Sequence, residues 1–132
     1  MVKKIMNEND GFTLAELLIV VAIIGVLVAI SIPIFSSQLE KSREATDLAN
    51  VRSAYAKIMA EAIDTEIPEP IKVDLVQKKL GWQTGSTLTV GGISNNDKDN
   101  WIGEPDEYGF CMVSYEKDKG AILNWSGGYS GT

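Results

Sequence analysis

From Leu17 to Leu39 the chain carries no charged residue, and from Leu17 to Ile30 every residue is apolar or glycine. A helix of about 20 such residues spans the ~30 Å hydrocarbon core of a bilayer, so membrane insertion is the first inference. The run begins close to the N-terminus behind Lys3 and Lys4. A secretory signal peptide would have a shorter apolar core of about 7–15 residues and a small-residue cleavage pattern after it. Here Ala29-Ile30-Ser31 is followed by Ile32-Pro33, a poor match. A plain single-span anchor fits better, with Lys3 and Lys4 holding the short N-terminus on the cytoplasmic side. Neither reading explains Glu16, the acid at the head of the run. An ionisable group inside a span costs about 2.5–3.5 kcal/mol and normally has a partner or a function. With a helix starting near Gly11, Glu16 lies in the first turns, where the positive end of the macrodipole favours an anion. For an isolated span, an acid resting at the interface one turn from water is the simpler account.

Composition narrows the function classes. At 132 residues the chain holds one small domain plus an appendage. Twelve Lys+Arg against eighteen Asp+Glu give a formal charge of −6, so no nucleic-acid partner is expected. Histidine is absent, which removes imidazole-based acid–base catalysis and Cys/His zinc sites. The one cysteine, Cys111, lies between Phe110 and Met112 and reads as a small buried hydrophobe.

The stretch Gly11-Phe12-Thr13-Leu14-Ala15-Glu16, followed by Leu17-Leu18-Ile19-Val20-Val21-Ala22-Ile23-Ile24-Gly25 and by Pro33 beyond, resembles the type IV pilin and pseudopilin family. The resemblance covers about the first quarter of the chain. It implies an α+β type IV pilin fold: a long N-terminal helix, transmembrane in front and amphipathic behind, packed on a small C-terminal antiparallel β-sheet head. The implied organisation is a leader over 1–11, a transmembrane or filament-core helix over 12–35, an amphipathic helix over 36–66 and a β-rich head over 67–132. A prepilin peptidase would cut between Gly11 and Phe12 and methylate the new Phe12 amino group. Glycine suits such a cut because it lets the backbone enter a protease closely. The resemblance gives Glu16 a partner, the Phe12 amino group of a neighbouring subunit, and each unmatched charge is far more costly in a low-dielectric core than the pair. The leader departs from the basic pattern in that Glu8 and Asp10 offset Lys3 and Lys4.

Pro33 lacks an N–H and clashes with the carbonyl of Ala29, so it and Gly25 are expected to be weak points in the helix. Related filaments are locally unwound between such positions, whereas in lipid the segment should stay mostly helical. Beyond it Leu39, Leu48, Val51, Tyr55, Ile58, Met59 and Ala62 recur mostly every three or four residues, predicting an amphipathic helix to about Ile63. Arg43 and Asp47 read as an i,i+4 pair on its solvated face. Glu66-Ile67-Pro68-Glu69-Pro70 reads as a linker. Val73 to Leu80 predicts two helical turns closed by Gly81. Strands are expected at Leu88–Val90, Tyr108–Tyr115 and Ala121–Trp125, with Glu116 to Gly120 as a hairpin loop.

Two features of the head suggest ligands. Asn95, Asp97 and Asp99 alternate as in the first part of a calcium loop, but Asn100 stands where an EF-hand needs glycine. An ordinary solvated loop, with no metal and no cofactor, is the expectation. Trp82, Trp101 and Trp125, with Tyr108, Tyr115 and Tyr129, form either an aromatic binding surface or core and subunit contacts. The glycine-rich end from Ser126 to Gly131 lacks the context of a phosphate cradle.

The leading function is structural: a single-pass prepilin of the cytoplasmic membrane that polymerises with copies of itself, through an assembly platform, into a surface filament for adhesion, motility or aggregation. The alternative is a pseudopilin of a type II secretion or DNA-uptake system. A membrane-anchored enzyme is the third class, with no catalytic constellation to support it.

Overall fold

The computed structural model describes residue 11 and residues 13–128. The leader charges, Phe12 and the end of the glycine-rich tail, Tyr129 to Gly131, lie outside the described residues. In chain order the elements are α1 (Leu14–Asp64), β1 (Ile71–Asp74), β2 (Thr89–Val90), β3 (Ile93–Ser94), β4 (Trp101–Ile102), β5 (Phe110–Glu116), β6 (Gly120–Trp125) and a 3-10 turn (Ser126–Gly128). The chain divides into two compact units, Met1–Ser37 and Gln38–Thr132. The rear half of α1 therefore belongs with the head.

In the first unit α1 starts at a cap. Thr13 Oγ1 accepts the backbone N–H of Glu16 at 3.2 Å, and the Thr13 carbonyl accepts the N–H of Leu17 at 3.1 Å. Thr13 is thus the N-cap, and the helix begins at Leu14 and not near Gly11. Helix continues through Gly25 and Pro33 without a break. Beside the proline, Ser31 Oγ donates to the Leu27 carbonyl at 2.7 Å, drawing that turn together.

The second unit packs the rear of α1 on a four-stranded sheet of order β1-β5-β6-β4. Leu48, Val51, Ala54 and Ile58 recur at three- and four-residue steps and form its buried stripe. Against them β5 turns in Cys111 and Val113, and β6 turns in Leu123 and Trp125. The β5–β6 hairpin closes as the sequence predicts, with Glu116 opposite Gly120 and Gly120 at φ 82. Strands β2 and β3 form a separate small hairpin. Arg52 donates to the Thr89 carbonyl and Tyr55 to the Gly91 carbonyl, fastening this hairpin to the helix. Gly91 is required there: its φ is +56, and a Cβ would lie 2.2 Å from the Tyr55 ring.

Three expectations are corrected. The residues from Val73 to Leu80 form no helix: Ile71–Asp74 is a strand paired antiparallel with β5, and Gly81, at φ 76, caps no helix. The sheet is not wholly antiparallel, because β4 pairs with β6 in parallel through Trp101 and Leu123. Asp47 is not solvated: it is fully buried, and Arg43 instead meets Glu40 at 3.3 Å.

Cys111 sits at the centre of this core, wholly buried, and burial pushes its thiol up to about 12. Native protein at neutral pH is expected to resist maleimide, while chain unfolded in denaturant reacts fully. Labelling of the folded chain within minutes would contradict the packing described.

Candidate functional site

Two sets of residues invite a functional reading, one in each unit. The first is the head of α1. Gly11 has φ +125, a conformation that residues other than glycine adopt only with strain, and none of the described residues lies within 4 Å of where its Cβ would be. Glu16 stands in the first turn of the helix, with its backbone N–H tied to the Thr13 cap. Thr13 and Glu16 have the spacing of a capping box. A favourable helix-end field and the cap together make this a stable place for an anion. Phe12, the expected partner of Glu16 from a neighbouring copy, lies outside the described residues. On both sides of Glu16 the apolar side chains stay exposed, from Leu14 at 75% to Phe35 at 67%. The helix carrying them is long and apolar enough to cross a membrane.

The second set was not singled out by the sequence reading. Glu40, Glu44 and Asp47 are buried on the face of α1 that continues the core stripe. Each carboxylate grips backbone from the connection that follows β1. Asp47 accepts the N–H groups of Val76 at 2.8 Å and Gln77 at 3.0 Å. Glu40 accepts those of Lys78 and Lys79 at 3.0 and 3.1 Å. Glu44 accepts those of Gln83 and Thr84 and the Thr84 hydroxyl. This explains why no helix forms there: donors that a helix would use are already taken. Gln77, itself fully buried, donates from Nε2 to the carbonyls of Lys79 and Gly81, closing the bend. Burial pushes the Asp47 carboxyl above its ordinary range, and Glu40 and Glu44 add to that push against the pull of its two N–H partners.

Several of the remaining candidates make contacts within the head. Asp97 Oδ1 accepts the N–H of Asp99 at 3.1 Å, and Asn95 Oδ1 accepts that of Leu88. Asn100 Nδ2 donates to the carbonyls of Lys119 and Ala121, both at 2.8 Å, stapling the loop to β6. Among the described residues no group of three acids or thiols is placed to hold a metal ion. Trp101 and Trp125 are core residues, and Trp82 packs edge-on against Trp125 at 4.9 Å between ring centroids. Tyr108 is exposed and apart from them, and Tyr129 lies outside the described residues.

Residues 6–32 match the family model for the prokaryotic N-terminal methylation motif. The type IV major alpha-pilin of Moraxella bovis is 53% identical over 106 residues, covering 80% of this chain and 64% of the relative. A type IV major fimbrial protein of Dichelobacter nodosus is 32% identical over 113 residues, covering 86% of this chain and 66% of the relative. Fimbrial protein Q of Moraxella bovis is 34% identical over 91 residues, 69% of this chain and 56% of its own length. The chain thus spans between just over half and about two thirds of these relatives, which are named as fimbrial proteins and a type IV pilin. No solved structure matches. The motif at the head of α1, the long apolar helix and the small sheet behind it agree with these relatives, and the chain belongs to the type IV pilin and pseudopilin family.

Proposed function

We propose that the chain is the precursor of a type IV pilus subunit. A prepilin peptidase removes residues 1–11 between Gly11 and Phe12 and methylates Phe12. Residues 12 to 35 then hold the protein in the cytoplasmic membrane as a single span until an assembly platform transfers it to a surface filament of identical subunits. The observation that carries this reading is the exposed apolar front of α1, from Leu14 to Phe35, most of which falls within the residues 6–32 that match the methylation motif. Such a surface requires lipid or other helices as cover, and a filament core replaces one with the other. Gly25 and Pro33 are the points at which the helix would loosen on leaving lipid. No cofactor enters this function.

Intact mass and N-terminal sequence of material sheared from the cell surface provide the test. An abundant species starting at methylated Phe12 is the expected result. The same species confined to the membrane would favour the pseudopilin of a secretion or DNA-uptake system, and an uncleaved Met1 start would leave only a membrane anchor.

A further inference from the structure

The head presents an exposed apolar tip at one level of α1 and an acidic apolar cleft at another. The tip is Leu80, 62% exposed and preceded by Lys78 and Lys79. It is held rigidly: Glu40 binds the backbone N–H groups of both lysines, Gln77 binds the carbonyls on either side of Leu80, and Gly81 N–H donates to the Pro105 carbonyl at 2.8 Å. More than half of this leucine is left uncovered by the described residues. The cleft, of about 660 Å³, follows the end of α1. Ile67, Pro68 and Pro70 supply its apolar wall, and Ile67 is 80% exposed. The carboxylates of Glu61, Asp64 and Glu69 stand around it, with Lys57 as the opposing charge.

The tip is tied to α1 at Glu40–Asp47, and the cleft opens at Glu61–Asp64. Some 20 residues of helix separate these levels, about 30 Å along the axis. Two complementary patches displaced along one axis make a head-to-tail contact, which repeats into an open filament instead of closing into a dimer. We propose that the Lys78-Lys79-Leu80 tip of one copy docks in the Ile67–Pro70 cleft of another copy. Leucine fills the apolar wall while the two lysines face the three carboxylates, so charge favours this pairing over tip-to-tip or cleft-to-cleft contact. Glu104, whose carboxylate lies beside Gly81, offsets part of the tip's charge. The inference rests on the filament reading above and adds the head surfaces that meet.

The test places Leu80→Cys and Ile67→Cys together in the full chain and oxidises the sheared filaments mildly. Native Cys111 is buried and stays silent. A ladder of covalent dimers, trimers and longer species is expected from the double variant and from neither single variant. Filaments without a ladder overturn the docking and leave the filament reading intact, as do dimers from Leu80→Cys alone. Absence of filaments from the unsubstituted chain overturns both. A charge swap guards against variants that fail to assemble for other reasons. Lys78→Glu with Lys79→Glu is expected to lower filament yield about tenfold, and adding Glu61→Lys with Asp64→Lys to restore most of it. Glu40 holds the lysines by their backbone, so the anchor survives these changes. Yield unaffected by the first pair, or not restored by the second, overturns the docking.

Discussion

Cells making the chain with Glu16→Ala are expected to remove the leader at Gly11 as efficiently as the parent and to shed no filaments. The substitution leaves the start of α1 in place, because the Thr13 hydroxyl bonds the backbone N–H of residue 16 and not its side chain. What it removes is the charge proposed to meet the Phe12 amino group of the next subunit. Stripping one partner from a buried ion pair costs about 3–5 kcal/mol. At 1.4 kcal/mol per tenfold, each addition step would weaken by roughly two to three and a half orders of magnitude. Immunoblots of sheared and membrane fractions, with N-terminal sequencing of the latter, measure both halves of the expectation. If Glu16 were only an acid at the membrane surface, filaments would form at normal yield and the pairing would be refuted.

How much of the molecule the sequence discloses depends on where the information resides. The front of α1 is legible because an unbroken apolar run from Leu17 to Ile30 and the motif at Gly11 to Glu16 are local features. The β5–β6 hairpin is legible for the same reason: alternating residues flank a turn that ends in Gly120. Strand β1 is not, since Val73 to Leu80 has helical spacing and the donors that decide against helix are claimed by Asp47 and Glu40, some 30 to 39 residues earlier. The parallel β4 is likewise fixed from afar, by Asn100 reaching the carbonyls of Lys119 and Ala121. A sequence signal for the buried acids existed. Glu40, Glu44 and Asp47 fill the polar gap between Leu39 and Leu48 at the same helical steps as Val51, Ala54 and Ile58, which places them on the core face. Reading polar residues as solvated hid it.

Asp47→Ala is expected to destabilise the head by about 2–3 kcal/mol. Two backbone donors, Val76 and Gln77, lose their acceptor, and that of Gln77 is buried. For a unit of this size the loss corresponds to roughly 8–24 °C in Tm. Trp82, Trp101 and Trp125 report it directly, since their mutual packing is lost on unfolding and their fluorescence follows the full chain in detergent micelles. A Tm close to the parent's would mean that these N–H groups find other acceptors. The pH dependence carries a second sign. Because the folded Asp47 carboxyl lies above its ordinary value of 3.8, the folded chain holds this proton more tightly than the unfolded one. Its contribution to stability is therefore complete below 3.8 and declines as pH rises from there through the raised folded value. Asp47→Asn cannot titrate, so the stability of the parent relative to this variant is expected to fall across that window. A difference that grows with pH would instead mean that the two N–H bonds outweigh burial and the repulsion of Glu40 and Glu44. Either way the acids hold the Lys78-Lys79-Leu80 tip, so loosening the grip of Glu40 should weaken docking between copies before it unfolds the head. Filament yield from Glu40→Gln, measured beside its Tm, separates those two effects.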